Sequence, residues 1–342
     1  MENRENQISL HPKPYGMKKI LKYAGYVLLF LIVAVVGLLT YVKTALPNVG
    51  EPEHLTLDYT PERVERGRYL ANSVSVCMDC HSTRDFSKFS GPLKEGTLGK
   101  GGDRFDQSVG MPGVFFSKNI TPAGLSRYTD GELFRVITAG VTKEGRPMFP
   151  LMPYPYYGRM AEEDIYSIIA YVRSISPIEN TVPDSEADFP VNFILHTIPT
   201  KGTPQPIPPK SDRVAYGAYL ANAGGCVECH TKDKQGQIIR ELSFAGGREF
   251  KLPDGSVVRS ANISPDRETG IGTWTTDLFV TRFKIYADSS YVLPDAAPGE
   301  FNTIMPWTMY ANMEKDDLEA IFSYLQTVTP MKNSVSKFTA AN

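Results

Sequence analysis

All four cysteines of this 342-residue chain fall in two copies of one pattern, Cys77-Met78-Asp79-Cys80-His81 and Cys226-Val227-Glu228-Cys229-His230. Two thiols three positions apart can form thioethers with both vinyl groups on one edge of a haem, while the adjacent imidazole reaches the iron from one face. Cys-x-x-Cys-His is accordingly the attachment signature of a c-type haem. It nominates Cys77, Cys80, Cys226 and Cys229 as attachment points for two covalently bound haem c groups, and His81 and His230 as iron ligands. Other thiol chemistry fits less well. A zinc site needs four closed ligands, and a redox dithiol has no use for the following His. A disulfide inside either motif would close a very short, strained loop.

Such sites must be delivered to the compartment where haem is attached, and the N-terminus supplies a means. Tyr23 to Val42 are 20 residues without a charge, about 30 Å as a helix, which matches the hydrocarbon thickness of a bilayer. A cleavable secretory signal has a shorter apolar core, and Thr44-Ala45-Leu46 is a poor small-x-small cleavage site. The expectation is therefore an uncleaved anchor over 23–43. Lys13, Lys18, Lys19 and Lys22 precede it and only Lys43 follows closely. The positive-inside rule then leaves a cytoplasmic tail over 1–22 and exports everything after Pro47. Tyr23, Tyr26 and Tyr41 sit where interfacial aromatics belong.

Residues 1–46 hold six Lys/Arg and two Asp/Glu, leaving 30 basic against 36 acidic residues in the exported part. That balance argues against a nucleic acid partner, and neither a Walker loop nor a dinucleotide fingerprint is present. The 28 glycines and 26 prolines point to a loop-rich fold, tolerable where a cofactor supplies much of the core.

The exported part is an internal duplication. Gly67-Arg68-Tyr69-Leu70-Ala71-Asn72 answers to Gly217-Ala218-Tyr219-Leu220-Ala221-Asn222, and Gly101-Gly102-Asp103-Arg104-Phe105 to Gly246-Gly247-Arg248-Glu249-Phe250. Asn119-Ile120-Thr121-Pro122 pairs with Asn262-Ile263-Ser264-Pro265, and Met152-Pro153-Tyr154 with Met305-Pro306-Trp307. Pro61-Glu62-Arg63-Val64-Glu65 starts a helix with Thr60 as N-cap. Residues 162–175 and 315–328 carry apolar positions at helical spacing, with acids in the first turn. Each unit reads as helix, haem loop, irregular middle, Met loop and closing helix. The units are expected over 55–176 and 211–331. Between them, 177–210 is Pro-rich and reads as a semi-extended linker, either a free spacer or one pinned across the domains by Phe189, Phe193 and Ile194.

On these motifs the chain resembles the class I cytochromes c, and within them the cytochrome subunits of bacterial membrane-bound dehydrogenases such as those serving alcohol dehydrogenase. The narrower resemblance rests on the Gly-Gly-x-x-Phe, Asn-Ile-Thr/Ser-Pro and Met-Pro-Tyr/Trp segments. It departs from three-haem subunits in having two haem motifs and an N-terminal anchor. The resemblance implies a mostly α protein of two tandem class I cytochrome c domains with loop-rich middles, plus one transmembrane helix. It also implies a Met before each closing helix as second iron ligand. Met152 and Met305 fit by position, by the following Pro and by agreement between the repeats, with Met148, Met160, Met309 and Met313 as competitors. Bis-histidine ligation would have to draw on His11, His54 and His196, of which the last two read as surface residues. Gly67 with Tyr171, and Gly217 with Tyr324, resemble the crossing of first and last helices in the family. Asn119 and Asn262 are open to two readings, a haem propionate contact or a turn ahead of Pro.

The function expected is single-electron transfer by a protein of the cell inner membrane whose haem domains face the periplasm. Its partners would be a periplasmic or membrane-bound dehydrogenase and another cytochrome or a terminal oxidase. The alternatives are the dihaem subunit of a haem-copper oxidase, and a dihaem peroxidase or thiosulfate-oxidising enzyme. The last would need an open iron position or a Cys ligand, and no Cys is spare.

Overall fold

The computed structural model of the chain describes residues 15–297 and 299–341; His11 and Lys13 lie outside them. Helix α1 (Tyr15–Ala45) carries the uncharged run. By length and composition it could cross a membrane, as an anchor or a signal sequence would. It forms one unit of the chain, and the second begins at Pro47.

In the second unit α2 (Pro61–Tyr69) starts where the sequence places it: Thr60 is extended and its hydroxyl accepts the Arg63 N–H at 3.2 Å, with Pro61 in the first turn. The helix widens into a π-helical turn over Leu70–Val74 and runs to the first haem motif. Helix α3 (Asp130–Ala139) opens on a capping box between Thr129 and Glu132, and ends on Gly140 in the left-handed region. Helix α4 (Glu162–Ser174) closes the first half. The same order recurs in α5 (Arg213–Ala223), α6 (Thr276–Lys284) and α7 (Lys315–Leu325).

First and last helices of each half cross where glycine removes the obstacle. A Cβ on Gly67 would lie 1.8 Å from the Ser167 carbonyl oxygen and 2.8 Å from Tyr171 Cβ. On Gly217 it would lie 1.9 Å from the Ala320 oxygen. Tyr171 thus meets the expectation directly, whereas Tyr324 packs edge-on to Phe244.

The middles hold more order than the sequence suggested. Each contains a hairpin, Arg104–Phe105 with Gly113–Phe116 and Glu249–Lys251 with Val257–Arg259, extended by a third antiparallel strand from beyond the closing helix. That strand is Glu186–Ala187 in the first half and Phe338–Thr339 in the second. Residues 186–187 are therefore built into the first half's sheet, although they fall within the linker read from the sequence. The pinning residues also differ from expectation. Phe189 is 77% exposed and Ile194 49%, whereas Leu195 is buried, and Thr203 N–H donates to the Gly158 carbonyl farther on. Residues 191–197 turn helical rather than extended, so proline content reported neither that turn nor where the segment docks.

One continuous apolar core includes Leu70, Val74 and Ile165 of the first half and Leu220, Leu318 and Leu325 of the second. The halves also exchange tyrosines. Tyr69 Oη donates to Asp317 Oδ2 at 2.6 Å and accepts the Glu314 N–H at 3.0 Å at the start of α7. Tyr219 Oη donates to Asp164 Oδ2 at 2.6 Å and accepts the Ala161 N–H at 3.3 Å at the start of α4. Each closing helix is thus capped by the first helix of the other half, a self-complementary arrangement of the kind seen between two-fold related subunits.

Candidate functional site

Each haem motif forms a helical turn entered through a left-handed residue: Val76 (φ 43°, ψ 43°) before Cys77–His81, and Gly225 (φ 60°, ψ 25°) before Cys226–Cys229. Gly suits this conformation without cost, whereas a β-branched residue does so only under strain. None of the four cysteines is paired in a disulfide. Burial pushes the thiols of Cys77 and Cys226 up to about 12, so they stand as neutral thiols rather than reactive thiolates. No group of three His, Cys, Asp or Glu side chains gathers to hold a bare metal ion among the described residues.

The histidines are oriented by the segments the repeat singled out. His81 Nδ1 lies 2.7 Å from the Lys118 carbonyl oxygen, and His230 Nδ1 lies 2.8 Å from that of Ala261. A carbonyl only accepts, so Nδ1 carries the proton and Nε2 keeps its lone pair. Burial lowers both imidazole pKa values, keeping the rings neutral. The Gly-Gly pairs allow this geometry. A Cβ on Gly101 (φ +65°) would be 2.4 Å from the Lys118 carbonyl carbon, and one on Gly246 (φ +71°) 2.4 Å from that of Ala261. Gly101 and Gly246 N–H groups also donate to the carbonyls of His81 and His230 at 2.9 and 2.8 Å.

The Asn-Ile-x-Pro segments follow directly. Asn119 Oδ1 accepts from Thr121 N–H and Oγ1–H, and its Nδ2 donates to the Ile178 carbonyl. Asn262 does the same with Ser264 and the Met331 carbonyl. Both amides are used in turns that tie down the chain after the closing helix, so of the two readings the turn holds.

Met152 and Met305 lie on matched loops and both are half-buried. Among the competitors, Met160 is fully buried against Ser75 Oγ, and Met309 is buried in the core. Five residues after each Met-Pro methionine stands a tyrosine that the sequence comparison passed over. Tyr157 Oη donates to the Ser75 carbonyl and Tyr310 Oη to the Gly224 carbonyl, each at 3.0 Å and two residues before a motif's first Cys. The signal was present as a matched Tyr in both repeats. Tyr154 is buried over Gly140, and Trp307 packs against Phe283 and Tyr286 under the Arg282 guanidinium.

Both motifs, with His81, His230, Met152 and Met305, line one cavity of about 3350 Å³. A site for a single drug-sized ligand occupies about 300–1,000 Å³, so the space suits more than one large cofactor. Paired cysteines, a neutral imidazole of fixed tautomer and a methionine on the cavity wall in each half fit the groups that a haem c would use. Met148 and Met313 also line the cavity. His54 is exposed, as expected, and His196 is half-buried; neither borders the cavity.

Residues 214–329 match the family model described as "Cytochrome c", and this domain belongs to that family, which carries covalently bound haem c. The chain is homologous to cytochrome c subunits of dehydrogenases. It is 27% identical over 301 residues to the cytochrome c subunit of alcohol dehydrogenase (quinone) of Gluconacetobacter polyoxogenes, covering 83% of this chain and 60% of the relative. To the gluconate 2-dehydrogenase cytochrome c subunit of Pantoea cypripedii it is 26% identical over 291 residues, covering 81% and 62%. A "Diheme cytochrome c-type" of Cereibacter sphaeroides is 31% identical over 137 residues, 39% of this chain and 42% of that one. The chain thus spans about 60% of the length of the dehydrogenase subunits it matches.

Proposed function

We propose that this chain is a membrane-anchored dihaem cytochrome c passing single electrons between a periplasmic dehydrogenase and a downstream cytochrome or terminal oxidase. The observation that carries this reading is the pair of equivalent donor sets, Cys77, Cys80, His81 with Met152 and Cys226, Cys229, His230 with Met305, around one cavity. Haem c, when bound, supplies an iron that changes by one electron. The chain's own residues do the rest. Lys118 and Ala261 carbonyls hold the imidazoles in one tautomer, and the thioethers of Met152 and Met305 favour ferrous iron and raise the potential. An iron held by His81 with Met152, or by His230 with Met305, would keep no open position for a substrate, which suits electron relay more than turnover.

The dehydrogenase partner is inferred from the subunits to which the chain is similar. In this reading 1–22 is a cytoplasmic tail, 23–43 the inner-membrane anchor, and 55–176 and 211–331 two class I cytochrome c domains on the periplasmic side. Lys18, Lys19 and Lys22 at the start of α1 set that orientation.

The test is a redox titration with near-infrared spectroscopy of protein from a maturation-competent host, beside Met152→Ala and Met305→Ala. Mass spectrometry should find two added haems, and each substitution should remove one Met-to-iron charge-transfer band and lower one potential. Unmodified polypeptide would end the dihaem reading, and two intact bands in either variant would end that ligand assignment.

A further inference from the structure

The loops carrying Met152 and Met305 are each gripped by the other half of the molecule. Arg84, three residues past His81, forms an ion pair with Asp79 of the first motif at 2.9 Å and donates to the Ser90 carbonyl at 2.7 Å and to the Ile304 carbonyl at 3.0 Å, next to Met305. Ser90, fully buried and held at φ +64°, donates from Oγ to the Met305 carbonyl at 2.7 Å and accepts the Trp307 N–H at 2.9 Å. Its own N–H donates to Asn302 Oδ1 at 2.9 Å, and Asn302 Nδ2 donates back to the Phe86 and Lys88 carbonyls. A left-handed, buried serine is an expensive conformation, and here its hydroxyl holds both sides of the methionine.

The reverse grip acts on the first half. Glu228 occupies in the second motif the position of Asp79 in the first. Tyr156, four residues past Met152, donates to Glu228 Oε2 at 2.7 Å, and Asn222 Nδ2 donates to the Tyr156 carbonyl at 2.9 Å. Arg248 also pairs with Glu228. Met152's loop is thus fastened to the second motif, and Met305's loop to the segment leaving the first.

We propose that Asp79, through Arg84 and Ser90, and Glu228, through Tyr156, are positioning residues acting across the two halves, each attachment motif setting how firmly the other half's methionine is held. The two redox sites are then coupled mechanically: a variant on one half loosens the ligand of the other. This rests on Met152 and Met305 being the ligands.

The test measures imidazole displacement of the ferric Met band in single-band backgrounds. With Met152→Ala only the Met305 band remains, and Ser90→Gly, which favours the left-handed backbone but removes the hydroxyl and its two hydrogen bonds, should lower the imidazole needed for half-loss at least about tenfold. In the Met305→Ala background the same change should do nothing. Glu228→Ala, in the second half, removes the acceptor of Tyr156 Oη and should show the opposite pattern, weakening the Met152 band alone. Should Ser90→Gly fail to accumulate haem, Asn302→Ala releases the same loop without altering that turn. Equal effects in both backgrounds, or none in either, overturn the proposal. Failure of Met305→Ala or Met152→Ala to remove a band overturns instead the ligand reading beneath it.

Discussion

Gly101 and Gly246 show how a residue without a side chain can govern the orientation of a histidine ring. Their left-handed backbone and missing Cβ let the Lys118 and Ala261 carbonyls close on the imidazoles of His81 and His230. Gly246→Ala should therefore cost clearly more than the roughly 1 kcal/mol of a positive-φ penalty alone, because the Ala261 backbone must also retreat from His230. Gly236, at φ +79° with nothing within 4 Å, is the control, and Gly236→Ala should show only the conformational cost. Thermal unfolding of the holoprotein separates them, and equal losses would deny the steric role. The tyrosines at 157 and 310 act at the same scale, since their buried hydroxyls connect each Met loop to the backbone entering a motif.

At the level of elements, the exchanged capping of α4 and α7 makes the two halves depend on each other. Asp164 has the bidentate Arg66 guanidinium besides Tyr219, whereas Asp317, with a fully buried side chain, has Tyr69 and Lys210 at 3.7 Å. Hydrogen bonds to charged groups contribute about 1.5–3 kcal/mol. Tyr69→Phe should lie at the upper end of that range and Tyr219→Phe at the lower end, read by urea unfolding of the holoprotein. The reverse ranking would mean that Lys210 compensates for the lost tyrosine better than Arg66 does.

For the whole molecule, the separation into α1 and a body from Pro47 onward has a direct consequence. A chain beginning at Pro47, exported by a cleavable signal, should be recovered in the soluble periplasmic fraction with two haems and the potentials of the full-length protein, while the full-length chain requires detergent. Retention of the shortened chain in the membrane would show that the body itself binds lipid or a membrane partner. The shared core further predicts that the halves unfold in a single transition; two separated transitions in calorimetry would contradict it.

Much of this was legible in the residues themselves. The spacing of Cys, Cys and His, the uncharged run before Lys43 and the matched repeat segments depend on local covalent reach and on periodicity, which a sequence displays. The N-cap at Thr60 and the helices near 162 and 315 were readable for the same reason. Tertiary structure alone decided that Gly101 and Gly246 serve the histidines, that Asn119 and Asn262 spend their amides on turns, and that residues 186–187 complete a sheet. It also decided that each methionine loop is gripped by the opposite half. These contacts join residues tens to hundreds of positions apart, and their energies depend on burial and donor–acceptor geometry that exist only once the two halves have packed.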